Sequence, residues 1–99
     1  MIRHVVMWKL NAEDPEAQQS AVDDMAAALE PLVGQIEGLE SLTVRRNVAK
    51  AESNWHAILE SDHCSVEALT VYYTHPLHVT AGAVVKANTR ERVCVDFEV

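Results

Sequence analysis

The first ten residues alternate in a way that predicts a β-strand over Ile2 to Leu10. The segment contains a β-branched and aromatic run, and Asn11 bounds it. Successive side chains of a strand point to opposite faces, and apolar residues occur at both parities here. One parity holds Ile2, His4, Val6, Trp8 and Leu10, and the other holds Arg3, Val5, Met7 and Lys9. The pattern therefore predicts a strand whose middle is covered on both faces.

A helix is predicted to begin at Pro15 and to end near Val33. Asp14 can cap the free N–H groups of the first turn, and proline suits the first helical position. Apolar residues then recur at intervals of three and four, at Val22, Met25, Leu29, Leu32 and Ile36. Pro31 removes a backbone donor near the end, and Gly34 can adopt the left-handed conformation that ends a helix.

Two strands are predicted next, over Leu39 to Val48 and over Trp55 to Ser61. The first alternates apolar and polar residues, as a sheet with one buried face requires. In the second strand, Trp55, Ala57 and Leu59 share one parity, and His56, Ile58 and Glu60 share the other. We expect the parity of His56 and Ile58 to face the helices.

A second helix is predicted to begin after Ser65 and to be interrupted at His75-Pro76. Proline cannot donate a helical hydrogen bond, and it disfavours the helical conformation of the residue before it. The helix restarts at Pro76 and continues to about Asn88. A final strand is predicted from the alternation of Val93, Val95 and Phe97 with polar residues.

This order of elements is typical of an α+β ferredoxin-like fold, β-α-β-β-α-β, with a four-stranded antiparallel sheet and both helices on one face. Residues 1–99 form one domain at this length. The other sheet face would expose Val5 and Met7 to water, together with a combination that includes Trp55, Ala57 and Leu59. Two such faces packed together remove that exposure. We therefore expect a homodimer whose two sheets form a dimeric α/β barrel.

Charge and cysteine content narrow the class of protein. The net charge of -7 disfavours binding to nucleic acid or to an anionic membrane surface. Arg3 and Lys9 lie within the first ten residues, so we expect neither a secretory signal nor a membrane span, and a cytoplasmic location. Cys64 and Cys94 belong to no Cys-x-x-Cys motif, and we expect two reduced, half-buried and unlinked thiols.

Five histidines are many for a chain of this length. His75 and His78 are three residues apart, but zinc needs three or four protein ligands and no matched carboxylate or thiolate stands beside them. We therefore expect no metal. His75 is predicted to cap the second half of the interrupted helix, and His63 is predicted to lie on the surface.

Tyr72 and His78 are the candidate catalytic residues. A phenol and an imidazole beside an apolar cavity can polarise a carbonyl and move a proton at neutral pH. Six residues separate them, so they converge only if Pro76 bends the helix. The residues expected to line the pocket are His4, Val6, Trp8, His56 and Ile58. The competing interpretation is that each histidine is a hydrogen-bonded core residue.

Several segments resemble the stress-responsive A/B barrel family, known as Dabb. They are IRHVVMWKL at the start, the segment from Gly34 to Gly38, NWHAILESDHCSVEALTVYYTHPLHV, and the final VCVDFEV. The pattern Tyr, two residues, His-Pro-x-His is the most specific of these. The resemblance implies a dimeric α/β barrel that has no organic cofactor. One enzyme of the family closes a linear polyketide by aldol chemistry without a metal or organic cofactor. Its catalytic tyrosine and histidine match Tyr72 and His78, and its pocket histidines match His4 and His56.

Three functions compete at this point. The first is a homodimer with a small apolar pocket in each subunit, where acid/base catalysis acts on a carbonyl or polyketide-like molecule. The second is a non-catalytic, stress-associated dimer that is structural or binds a small apolar or aromatic ligand. The third is a haem or oxygen-dependent member of the wider barrel class, with His75 as the axial ligand. Whether the protein is an enzyme stays open on the sequence alone.

Overall fold

The computed structural model describes all 99 residues and contains four strands and three α-helices. The strands are β1 (Ile2–Leu10), β2 (Leu39–Arg46), β3 (Ala57–His63) and β4 (Thr89–Glu98). The helices are α1 (Pro15–Leu29), α2 (Val66–Thr74) and α3 (Pro76–Asn88), and a 3₁₀ turn (Glu30–Leu32) follows α1. The predicted α+β ferredoxin-like order is confirmed. No helix has the length and apolar character that crossing a membrane requires.

The helix boundaries follow from the capping residues. Asp14 accepts a hydrogen bond from the backbone N–H of Ala17 at 2.9 Å, and Pro15 occupies the first turn, as predicted. The α-helical hydrogen bonds end at Leu29, and the turn that contains Pro31 continues in the tighter 3₁₀ form. Gly34 then takes a φ of +87°, a backbone conformation that residues with a side chain rarely adopt.

The sheet has the order β2-β3-β1-β4, and every neighbouring pair is antiparallel. The helices cover one face, and seventeen apolar residues form a single buried core between the two layers. Strand β1 contributes Val6, Trp8 and Leu10 to this core, which is the parity predicted for the helix side. α1 contributes Ala21, Val22, Met25 and Leu29.

Strand β3 is where the sequence-based expectation is wrong. It begins at Ala57 and ends at His63, and its buried side chains are Ala57, Leu59, Ser61 and His63. The expected facing is therefore reversed, because Ile58 pairs with Met7 on the uncovered side. His63, expected on the surface, is fully buried. The buried polar residues near the end of β3 resemble a loop in sequence, and only pairing with β1 and β2 identifies them as strand.

Strand β2 is also shorter than predicted. It ends at Arg46, and Val48 is the most exposed of the large apolar residues, at 78%. The segment that joins β2 to β3 therefore begins two residues earlier than the alternation suggested and includes Trp55 and His56.

The face of the sheet away from the helices is uncovered in the single chain, and we call it the open sheet face. Glu60, which pairs with Val5, lies on this face. Its apolar residues are Val5, Met7, Ile58, Val93, Val95 and Phe97. The expectation that Val5 and Met7 lie there holds, whereas Ala57 and Leu59 are buried under the helices. Trp55 lies beside this face, with Lys9 Nζ 5.1 Å from its ring centroid.

Gly38 allows the chain to pass close to α2. Its φ is +89°, and a Cβ at this position would lie 2.7 Å from the Cβ of Ala68. Gly34 has nearly the same φ, of +87°, but a Cβ there would meet nothing within 4 Å. The two glycines therefore separate the effect of backbone conformation from the effect of close packing.

We predict that Gly38→Ala destabilises the protein more than Gly34→Ala. Both substitutions incur the cost of a side chain at positive φ, about 1 kcal/mol, and only Gly38→Ala adds a clash, which costs about 1 kcal/mol or more. Urea unfolding monitored by tryptophan fluorescence measures both. Equal destabilisation would mean that α2 moves away freely and that this contact is not a constraint.

Candidate functional site

The site is built around the break between α2 and α3. In a continuous helix, the N–H of Leu77 would bond to the carbonyl of Tyr73. Here that N–H donates instead to His75 Nδ1 at 3.1 Å, so His75 caps α3 as predicted. The released carbonyl of Tyr73 accepts a hydrogen bond from His78 Nδ1 at 3.2 Å. Pro76, which has no N–H, makes the interruption obligatory.

This hydrogen bond defines which nitrogen of His78 is basic. A backbone carbonyl only accepts hydrogen bonds, so Nδ1 carries the proton and Nε2 carries the lone pair in the neutral ring. Burial lowers the pKa of His78, and the bond to Tyr73 opposes that shift only in part. The neutral ring is therefore the dominant form at pH 7.

Tyr72 lies directly beside His78. The two ring centroids are 4.2 Å apart and the ring planes make an angle of 47°. Tyr72 is 1% exposed, yet its hydroxyl has no hydrogen-bond partner within the chain and retains contact with solvent. Burial raises the pKa of the phenol well above its usual range, so the hydroxyl stays protonated and is a donor.

Both side chains line a cleft of about 520 Å³ between the sheet and the helices. A volume in this range fits a small molecule. Of the residues predicted to line a pocket, the cleft brings together His4, Val6 and Trp8 with Tyr72 and His78. Its apolar wall is completed by Leu29, Leu59 and Val85.

Two predicted pocket residues lie elsewhere. His56 accepts a hydrogen bond from the backbone N–H of Leu10 at 2.9 Å, at the end of β1. Ile58 belongs to the open sheet face, on the far side of the sheet from the cleft. His75 also lies outside the cleft, and its Nδ1 accepts the hydrogen bond that caps α3.

Cationic side chains surround the mouth of the cleft. Lys86, Arg90 and Arg92 line it and are exposed. The one acidic residue of the lining, Glu91, lies 3.6 Å from Lys9 Nζ, which offsets its charge. The mouth is therefore electropositive in a protein whose net charge is -7, and it favours an anionic group.

His4 lies at the inner wall and is held from behind by strand β4. Its Nδ1 is 2.5 Å from the carboxylate of Asp96, 3.2 Å from the hydroxyl of Tyr73 and 3.4 Å from Cys94 Sγ. Its Nε2 has no partner within the chain and retains contact with solvent. Burial lowers the pKa of His4, and Asp96 partly offsets that shift.

Sequence patterns alone do not identify the residues that support His4. Asp96 pairs directly with His4 across β1 and β4, and Cys94 pairs with Val6. These positions share a face because directly opposed residues of an antiparallel pair point the same way. Identifying Asp96 and Cys94 requires the register of β4 against β1, which sequence patterns do not provide. Cys64 and Cys94 are both free thiols; Cys94 is half-buried as expected, whereas Cys64 is exposed.

His63 extends this group of rings into the core. Its ring centroid is 4.9 Å from that of Tyr72 and 6.1 Å from that of His4. Nε2 is 2.9 Å from the hydroxyl of Ser61, and Nδ1 has no partner. Burial, reinforced by the neighbouring His4, lowers the pKa of His63 to about 4. His63 does not line the cleft, so it supports the ring of Tyr72 from behind.

The protein therefore has a ferredoxin-like α+β fold with a cleft between the sheet and the helices. The chain belongs to the stress-responsive A/B barrel domain family, whose sequence profile matches residues 2–99. No match was found among curated protein sequences.

Solved structures of the same fold include proteins with and without a known activity. A dimeric ferredoxin-like protein of unknown function from Bacteroides fragilis is 28% identical, with a TM-score of 0.85 over 99% of this chain and 95% of that one. A dimeric ferredoxin-like protein of unknown function from Thermobifida fusca is 23% identical, with a TM-score of 0.80 over 99% and 90%. A hydroxynitrile lyase from Passiflora edulis is 13% identical, with a TM-score of 0.79 over 99% and 92%. At identities of 23% and 13%, the last two structures show only that the fold is shared.

We predict that His63 makes the fold sensitive to acid. Its pKa is about 4 in the folded chain and about 6.5 when unfolded. As the pH falls through this interval, the unfolded chain takes up a proton that the folded chain does not, so stability is lost. Between pH 7 and pH 5, the free energy of unfolding of wild type should fall by about 2 kcal/mol more than that of His63→Gln.

The measurement is urea unfolding of both proteins across that pH range. His4 and His78 shift in the same direction, but both are present in wild type and variant, so their effects cancel in the difference. If the free energies of unfolding of wild type and His63→Gln change with pH in parallel, His63 is protonated, or solvated, in the folded protein.

Proposed function

We propose that the cleft binds a small, largely apolar molecule that carries a carbonyl, and that Tyr72 and His78 catalyse proton transfer on it without a cofactor. The observation that carries this proposal is the pairing of two unused groups at one wall. The rings are 4.2 Å apart, Nε2 of His78 holds a lone pair, and the hydroxyl of Tyr72 is an unpartnered donor.

The roles follow from the protonation states. His78 Nε2 removes a proton from the carbon next to the carbonyl and becomes an imidazolium. The electron pair of the broken C–H bond forms a carbon–carbon double bond, and the π pair of the carbonyl moves onto its oxygen, which becomes an enolate oxygen. Tyr72 donates a hydrogen bond to that oxygen, where the charge develops. The imidazolium returns its proton to the product in the last step.

The mouth of the cleft narrows the class of ligand. Lys86, Arg90 and Arg92 suit a carboxylate at the end of the molecule that stays near solvent. The apolar wall, which includes the buried Trp8, suits an aromatic ring or an acyl chain. An aromatic or polyketide-like oxo acid combines these features.

The alternative is a dimer that binds such a molecule without converting it. His63 favours this reading, because it is a fully buried histidine with a packing role and no access to the cleft. Turnover, measured with and without His78, distinguishes the two.

We also propose that the chain is a homodimer in which two open sheet faces pack together. Met7, Val93, Val95 and Phe97 are 39%, 40%, 65% and 44% exposed in the single chain, and their contiguity favours burial against a second copy. The proteins from Bacteroides fragilis and Thermobifida fusca are described as dimeric, which supports the proposal. The cleft lies on the opposite face of the sheet, so dimer formation leaves it accessible.

We also propose a cytoplasmic location and no binding to nucleic acid or to anionic membranes. Two free thiols suit a reducing compartment, and we assign the protein to the cytoplasm. Its acidic character argues against nucleic acid and anionic membranes as partners.

We predict that the protein accelerates exchange of the central methylene protons of benzoylacetate for deuterium, as followed by proton NMR. His78→Ala should lower the protein-dependent rate by about a hundredfold or more, because it removes the base. Tyr72→Phe keeps the ring and should cost less. The rate should depend on neutral His78, so its acid limb should lie below pH 6.5.

His75→Asn is the matched control, since asparagine retains a helix cap and removes an imidazole outside the cleft. Its exchange rate should equal that of wild type. Folded His78→Ala protein with full exchange activity would exclude His78 as the base and favour the non-catalytic alternative.

We predict that Met7→Asp converts the dimer to monomer at micromolar concentration, measured by light scattering after size exclusion. A carboxylate at the centre of the open sheet face would be buried without a partner, at a cost of about 3 kcal/mol or more. Val71→Asp is the control, because Val71 is 52% exposed on α2, away from that face. A monomeric wild type, or a dimeric Met7→Asp, would contradict the proposal.

A further inference from the structure

Three side chains with different metal-binding atoms converge behind the inner wall of the cleft. They are His4 of β1 and Cys94 and Asp96 of β4, and their donor atoms all lie within 4.8 Å of one another. Nδ1 of His4 is 3.4 Å from Cys94 Sγ and 2.5 Å from Asp96 Oδ1, and the sulfur is 3.7 Å from that oxygen. Strand pairing explains the convergence, because Asp96 lies opposite His4 and Cys94 is two residues away on the same face.

We propose that His4 Nδ1, Cys94 Sγ and the Asp96 carboxylate bind one Zn²⁺ ion. A nitrogen, a sulfur and an oxygen ligand form a donor set typical of zinc. The site does not rest on the proposed enzymatic function, and it involves atoms that the proton-transfer step does not use.

The distances agree with a tetrahedral ion. Zinc bonds of roughly 2.0 to 2.3 Å place neighbouring ligand atoms about 3.3 to 3.6 Å apart. Two of the three separations already lie close to this range, at 3.4 and 3.7 Å. The third, between His4 and Asp96, is short because a hydrogen bond joins the two atoms. The ion would replace that proton, and the two atoms would separate by less than about 1 Å.

The site combines a fixed ligand with an accessible one. The side chain of His4 is 3% exposed, and its ring makes edge contacts with His63 and Tyr73 at centroid distances of 6.1 and 5.4 Å. The side chain of Asp96 is 38% exposed, so an ion can enter from solvent on that side. A thiolate and a carboxylate together balance the charge of a divalent ion. Three protein ligands leave a fourth position, which water can fill.

Metal binding at Nδ1 would change what His4 presents to the cleft. With Asp96 as the acceptor, Nδ1 carries the proton and Nε2 carries a lone pair. With an ion on Nδ1, the proton of the neutral ring must sit on Nε2. His4 would therefore become a hydrogen-bond donor towards the cleft when the ion is bound.

The test uses tag-free protein, stripped of metal and kept reduced, titrated with Co²⁺ as a spectroscopic substitute for Zn²⁺. We expect one Co²⁺ per chain, an intense thiolate-to-cobalt charge-transfer band in the near ultraviolet, and visible bands typical of tetrahedral coordination. Zn²⁺ should abolish these bands and raise the melting temperature.

Variants assign the ligands. Cys94→Ser should abolish the charge-transfer band. The isosteric Asp96→Asn should weaken Co²⁺ binding by more than about a hundredfold, which is the upper end of what loss of a merely supporting residue costs. Cys64→Ser is the matched control, because Cys64 is exposed, bonds to Glu40 and lies outside the cluster. It should bind Co²⁺ as wild type does.

The proposal is overturned if wild type shows no saturable Co²⁺ binding, or if the charge-transfer band persists in Cys94→Ser. It is also overturned if Cys64→Ser removes the band. Circular dichroism tests whether each variant is folded. If Cys94→Ser is not folded, Asp96→Asn alone decides the case.

Discussion

The site depends on a hydrogen bond that Pro76 makes available. A helix satisfies its own carbonyls, and a histidine on an unbroken helix would find none free to accept its proton. Because proline lacks an N–H and His75 captures the N–H of Leu77, the carbonyl of Tyr73 is left for His78. That bond fixes the orientation of the imidazole and its tautomer. The same interruption brings the ring of His78 against that of Tyr72, six residues earlier in the chain.

Burial sets the protonation state of the histidines and tyrosines at this wall. Loss of solvent lowers the pKa values of His4, His63 and His78. It raises the pKa values of the phenols of Tyr72 and Tyr73, to about 12 for Tyr73. Neutral bases therefore stand beside protonated donors near pH 7. The arrangement costs stability in acid, because the unfolded histidines bind protons that the folded ones exclude. Acid sensitivity and the proposed chemistry thus have one physical origin.

Local rules predicted much of this architecture, and tertiary pairing decided the rest. The cap at Asp14, the parity of β1 and the break at Pro76 each follow from neighbours in sequence, so they were predictable. The facing of β3 was not, because Ser61 and His63 are polar residues that become buried only when β1 and β2 pair on either side. Asp96 was missed for the same reason, since its relation to His4 is a matter of strand register, ninety-two residues apart.

The proposed chemistry requires that His78 lies in the cleft as a neutral base with its lone pair on Nε2. Long-range proton–nitrogen NMR spectra of the histidine rings at pH 7 read this state directly, with His78→Gln identifying the signals. We expect a neutral ring protonated on Nδ1, with a pKa below 6.5 when the same signals are followed with pH. An imidazolium at pH 7, or a neutral ring protonated on Nε2, would contradict it.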